Sequence, residues 1–134
     1  MTRTRGYYGF KHNCIYYLIY NHYDSNFDLL GKKLLNEIKE CKYDLWLDKF
    51  KKLKCITSEE YITSEEYESL NNYNYNHQSL KKILNSSYIV TDKIIIDEKL
   101  LLNDDSVDYI YVLNFDDNYF TIINKDYIKK YSLI

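Results

Sequence analysis

Along this chain the spacing of apolar residues changes twice, and that change limits the fold more than any single motif does. Tyr7 to Phe10 and Cys14 to Tyr20 are dense in aromatic and β-branched residues. The short polar link Lys11-His12-Asn13 between them predicts a hairpin turn. From Asp28 the period becomes helical. Leu30, Leu34, Ile38, Cys41 and Leu45 fall on one stripe, with Lys32, Lys33, Glu37 and Lys39 around it, and a second amphipathic pattern runs through Tyr43, Trp46, Leu47, Phe50 and Leu53. Ser25 or Asp28 is positioned to cap the first of these helices.

A short helix is expected around Leu80, Ile83 and Leu84, and a brief extended stretch at Ile94-Ile95-Ile96, whereas Lys99 to Leu102 is too short a run to show a period. Toward the C-terminus the strand pattern returns. Tyr109 to Phe115 and Tyr119 to Ile123 flank Asp116-Asp117-Asn118, residue types that tolerate tight turns. Hairpins at both ends with helices between them predict a single α+β domain over residues 1–134. Its sheet is antiparallel, of about four strands, and covered by three to four central helices.

Residues 56–61 and 62–67 repeat the hexapeptide Ile-Thr-Ser-Glu-Glu-Tyr, each copy with the Thr-x-x-Glu pattern of a capping box. Six residues advance a helix by about 600°, so the copies would face about 120° apart. They read as a tandem duplication rather than a solenoid, with the second copy the better helix start and the first an extension of the preceding loop. Residues 71–76 form an Asn/Tyr-rich linker.

Charge and cysteine usage narrow the partners. A formal charge of −2 leaves no excess of cations for a phosphate backbone, so neither nucleic acid nor an anionic membrane is the expected partner. Cys14, Cys41 and Cys55 are an odd set without CxxC spacing, expected as reduced thiols with no zinc. Cys14 is expected as a buried, inert thiol within the second strand. No apolar run reaches the length of a membrane span, and the first residues lack the apolar core of a signal peptide, so an intracellular protein is expected. Tyr at 17 positions, no Pro and abundant Asn, Lys and Ile reflect AT-rich codons. The tyrosines are expected to pack at half-buried sheet and helix positions.

The polar residues that most resemble a site cluster where the first two strands should end: Arg5, Asn21, His22, Asp24 and Ser25. An antiparallel hairpin returns them to one end of the sheet. As a pocket, Arg5 would bind an anion, His22 would move protons with Asp24 orienting it, and Ser25 would be the nucleophile or a hydrogen-bond donor. The same residues also suit a purely structural role, with Arg5 paired to Asp24, Asn21 and Asp24 shaping a turn and Ser25 capping a helix. Asp116 and Asp117 joined to Asp24 would make a cation site, although a hairpin turn explains them without a metal. His12 and His77 read as loop residues. No glycine-rich phosphate loop or other cofactor motif is present in the sequence.

With these segments placed, a resemblance becomes visible. Thr4-Arg5-Gly6 with Gly9-Phe10, Tyr20-Asn21-His22 with Asp24-Ser25, and Tyr109, Tyr111, Val112, Asn114 and Asp116 match three motifs of a family found in giant viruses, phages and scattered cellular genomes. Where that family continues with Tyr-Pro and a loop ending Gly-Leu-Gly, this chain has Asn26-Phe27-Asp28-Leu29-Leu30-Gly31. The resemblance implies the architecture above and the N-terminal cluster as the candidate site, with no reaction attached. With the AT-rich composition it implies a giant-virus protein, resident in the cytoplasm of an infected host cell or in the virion.

The sequence therefore points first to a non-enzymatic module that binds a viral or host protein. The tyrosine-rich strands and Trp46 on an amphipathic helix would supply the aromatic surface. The alternative is a small hydrolase or ligand-binding enzyme using Arg5, His22, Asp24 and Ser25. A homodimer through an unpaired sheet edge is a further expectation.

Overall fold

The computed structural model describes residues 3–57, 78–96 and 98–133. Strands β1 (Gly6–His12) and β2 (Ile15–Asn21) form the first hairpin, with Gly6 paired to Asn21 and His12 to Ile15. A π-helical turn at Phe27–Gly31 leads into α1 (Lys32–Ile38), followed by α2 (Tyr43–Lys52) and β3 (Lys54–Thr57). Then come α3 (Leu80–Leu84), β4 (Tyr88–Thr91), β5 (Lys93–Ile95) and α4 (Glu98–Leu102). The chain closes with β6 (Tyr109–Asn114), β7 (Tyr119–Asn124) and β8 (Tyr127–Ser132).

The α+β character is as expected, but the sheet is larger than four strands and not wholly antiparallel. Six strands run in the order β5-β2-β1-β6-β7-β8, and β3 and β4 form a separate parallel pair. The two terminal hairpins lie side by side through a parallel ladder that pairs Gly6 with Tyr109 and Lys11 with Asn114. Strand β8 escaped the sequence reading because Lys129 and Lys130 interrupt its apolar alternation. An edge strand has an open side where charged residues are tolerated.

Period-two alternation sends side chains to two separate cores. On one face Tyr8, Phe10, Ile19, Tyr111, Leu113 and Phe120 meet Leu34, Trp46, Phe50, Leu80 and Ile83 from α1, α2 and α3. Phe10 and Phe50 lie 5.0 Å apart at the centre of this core, with Phe115 stacked 6.0 Å from Phe10. On the other face Tyr16, Leu18, Ile110 and Val112 are covered by Leu101 of α4. The helices are thus divided between the faces rather than gathered on one. Trp46, expected at an interface, is buried in the larger core.

The helical stripe also breaks. The first helix ends at Ile38 and α2 restarts at Tyr43, so the phase resets and Leu45 is exposed. Lys99 to Leu102, unassignable by period, belongs to α4. Ile56 and Thr57 of the first hexapeptide copy lie in β3. The rest of the repeat, the helix expected from its second copy and the linker at 71–76 lie outside the described residues.

An ion pair ties β5 to the segment that follows α4. Lys93 on β5 donates to the Asp104 carboxylate at 2.7 Å, and Ser106 donates to the same carboxylate through both its backbone amide and its hydroxyl. Burial alone would raise the Asp104 pKa, but these hydrogen bonds prevail and hold it below the ordinary carboxylate range. A depressed native pKa adds stability that is present above the unfolded value of about 4 and is lost as pH falls through the lower native value. Asp104→Asn is therefore expected to lower the melting temperature at pH 7, and the gap from the unmodified protein should close below about pH 4. Thermal unfolding followed across pH measures this directly.

Candidate functional site

The end of the sheet where β1 begins and β2 finishes holds every residue of the predicted cluster. Three backbone segments are tied together there. The Ser25 amide donates to the Thr4 carbonyl at 3.1 Å, and the Asp108 amide donates to the Arg5 carbonyl at 2.8 Å. In return the Arg5 amide donates to the Asp108 carboxylate at 3.0 Å. Gly6 permits this closeness, because a Cβ there would lie 2.8 Å from Ser25 Cβ and 2.9 Å from the Tyr109 carbonyl oxygen. Gly9 is tighter still, with a Cβ falling 1.9 Å from the Tyr17 carbonyl oxygen. The two glycines of the N-terminal motif are therefore steric requirements of the β1–β2 and β1–β6 contacts.

Asn21 and Ser25 form the buried centre. Asn21 Nδ2 donates to the Tyr23 carbonyl at 2.6 Å and to Ser25 Oγ at 2.7 Å, while Ser25 Oγ donates to the Asn21 carbonyl at 3.0 Å. Gln78 Nε2 donates to Asn21 Oδ1 at 2.6 Å, and the Tyr111 hydroxyl donates to the Ser25 carbonyl at 2.6 Å. Burial pushes the Tyr111 pKa well above its ordinary value, so this phenol stays a donor. The backbone makes room by a left-handed residue, Asp24 at φ 59°, whose carbonyl accepts the Leu30 amide at 3.2 Å.

The structure brings Asn21 and Ser25 together in the interior, leaves Asp24 half-buried, and turns Arg5 and His22 outward. His22 is exposed, with Nδ1 2.9 Å from the Tyr20 hydroxyl and its ring edge-on to Tyr23 at 4.4 Å. Arg5 is exposed and tied in by its main chain. Ser25, 0% exposed, exchanges both its hydroxyl bonds with Asn21. A hydroxyl that accepts from an amide and donates to a carbonyl has no general base beside it and no open path to a substrate. The expected helix cap is also absent, since the Ser25 hydroxyl is spent on Asn21 and Asp28 lies in the π-turn at 3.7 Å from Lys32.

The opposite end of the sheet answers two other expectations. Asn13 and Cys14 form a two-residue turn at φ 52° and 65°, and the Asp116 carboxylate accepts both their amides, at 2.8 and 2.9 Å. Cys14 is thus exposed at a turn tip, not buried in β2. Asn114 Oδ1 accepts the amides of Asp116 and Asp117, so these aspartates shape two hairpin turns. Asp24 lies at the far end of β1, roughly 20 Å away at the rise of an extended strand, and cannot join them around a cation. Cys41 is half-buried, which pushes its thiol up to about 11. Asp108, Gln78 and Tyr111 were missed as members of the N-terminal cluster. Only Tyr111, a position of the C-terminal motif, carried a signal.

No protein-family model, curated protein or solved structure matches this chain. No helix among the described residues is long and apolar enough to cross a membrane.

The close contacts predict a graded response. Gly6→Ala should cost about 1–3 kcal/mol and Gly9→Ala more, since a Cβ at Gly9 would fall 1.9 Å from a backbone oxygen against 2.8 Å for the closest contact at Gly6. Ser25→Ala should cost roughly 1–3 kcal/mol by stripping a partner from buried Asn21. Urea unfolding of the three variants gives the ranking.

Proposed function

We propose that the protein is a non-enzymatic module that binds another protein, and the observation that carries this reading is the run of exposed aliphatic side chains from β5 into α4. Ile94 and Ile96 at β5, and Leu100 and Leu102 on the adjoining α4, are 43%, 73%, 63% and 46% exposed. Four large aliphatic side chains open to water within nine residues are costly to a soluble domain unless something covers them. Of this helix only Leu101 is buried, in the second core, and Leu100 and Leu102 on either side of it are left to water.

The hydrolase reading needs a serine hydroxyl that a substrate can reach and a base to deprotonate it. Ser25 is buried with its hydroxyl engaged by Asn21, and the His22 Nδ1 is engaged by Tyr20. The same residues serve the binding reading as scaffold. The resemblance to giant-virus and phage proteins implies a viral or host partner within an infected cell or the virion.

The double substitution Ile96→Asp and Leu100→Asp should leave the melting temperature within about 2 °C and abolish recovery of the protein that co-purifies with the unmodified chain. His22→Ala should leave recovery unchanged. A thermal-shift response to phosphate, nucleotide or metal that His22→Ala and Asp24→Ala both remove would instead support the ligand-site reading.

A further inference from the structure

Where α4 ends, the exposed aliphatic run meets a cleft. The connection from α4 to β6 and the turn between β7 and β8 enclose about 170 Å³, lined by Leu102, Val107 and Ile123 together with Asp105, Asp108 and Lys125. Leu102 belongs to both features, since it lines the cleft and is 46% exposed. Asp104 also borders the cleft, but its carboxylate is spent on Lys93 and Ser106.

The other two carboxylates have acceptors to spare. Asp108 gives Oδ2 to the Arg5 amide and has no donor on Oδ1 among the described residues. The Asp105 carboxylate is exposed and takes neither a hydrogen bond nor an ion pair from any described residue. Lys125 lines the same cleft without pairing to either of them. Over residues 98–108, Glu98, Asp104, Asp105 and Asp108 outnumber Lys99, so the surface around α4 is acidic as well as apolar.

We propose that the cleft receives an arginine side chain of the protein partner, with aliphatic neighbours of that arginine laid on Leu100 and Leu102. This inference rests on the binding reading above and adds the chemistry of the partner. Apolar walls beside free carboxylate oxygens match a side chain that is apolar along its stem and cationic at its tip. The volume is below the roughly 300–1,000 Å³ that enclose a small-molecule ligand, and suits one side chain of a larger partner. Arginine fits better than lysine because its planar fork of donors can address two carboxylates at once, and a guanidinium is more weakly hydrated than an ammonium. An ion pair on open surface contributes little, whereas one drawn in beside Leu102 and Ile123 is less screened by water. The acidic surroundings favour the approach of such a partner, and Lys125 opposes it.

The probe is a dye-labelled Leu-Arg-Leu peptide, compared with counterparts carrying citrulline, the neutral isostere, or lysine at the centre. Titrated against the full chain by fluorescence anisotropy, the arginine peptide should bind about tenfold more tightly than the citrulline peptide, with the lysine peptide between them. Amide signals of residues 102–108 should shift on binding. Asp105→Asn should remove the preference for arginine over citrulline without lowering the melting temperature, and Lys125→Ala should tighten the arginine peptide by about twofold to threefold. Equal affinity for the arginine and citrulline peptides overturns the inference, as do amide shifts that miss the cleft, an arginine preference that survives Asp105→Asn, or no binding at millimolar peptide. The two readings separate on recovery of the co-purifying protein. If Asp105→Lys leaves recovery intact while Ile96→Asp with Leu100→Asp abolishes it, this inference falls alone. If the aliphatic variant leaves recovery intact, the binding reading falls and takes this inference with it.

Discussion

The parallel ladder between β1 and β6 is the contact on which everything else rests. It joins two hairpins that are separated by the whole middle of the chain, and it creates the central pair of strands between the two cores. Parallel pairs are usually supported by a crossover helix lying between consecutive strands. Here the ladder is clamped at both ends by aspartates that flank β6. Asp108 exchanges hydrogen bonds with the Arg5 backbone at the start, and Asp116 takes the two turn amides of Asn13 and Cys14 at the finish. Each carboxylate meets amides that have no place in the ladder itself, so the register is set from outside the strands.

Once that ladder exists, the N-terminal cluster has a structural task. The segment after β2 must pass beneath the start of β1 and enter the helical layer without exposing its amides. Gly6 provides the space, Asp24 the left-handed bend, and Asn21, Ser25, Gln78 and Tyr111 the hydrogen bonds. Glu37 continues the pattern: its carboxylate accepts the Leu80 amide at 3.0 Å and the Ser79 hydroxyl, anchoring α3 to α1. A buried polar network of this kind rigidifies when each member is satisfied, and it uses the very residue types that a catalytic site would need. Ile94, Ile96, Leu100 and Leu102, by contrast, are left exposed to water, and this is what motivates a recognition role over a chemical one.

The parts of this architecture that were legible in the sequence are those set by local pattern. Tyr7 to Tyr20 and Tyr109 to Ile123 announce hairpins and both form, although the first turns at Asn13-Cys14, while Lys11 and His12, expected in its link, belong to β1. Leu30, Leu34 and Ile38 announce a buried helical stripe and are buried. The failures have physical causes. Leu45 left the stripe because a break at residues 39–42 reset the helical phase. Trp46 went inside because α2 packs on Phe10 and Phe115, contacts made only after the hairpins join. Cys14 moved to a turn because the two-residue Asn13-Cys14 loop is stabilised by Asp116, 102 positions away.

By itself the sequence determined the two terminal hairpins, the helical segments at 30–38 and 43–53 and the cluster's location, since hydrophobic period and turn chemistry act over a few residues. It also placed Arg5 and His22 at one end of a hairpin, because antiparallel return does so whatever the neighbours. Only the tertiary structure decided that Ser25 turns inward to Asn21 while His22 turns outward to Tyr20, that the helices divide between two faces, and that β8 is the outermost strand of the six. Those outcomes depend on which strands lie side by side. Strand order is governed by long-range pairing, to which no local window of residues is sensitive.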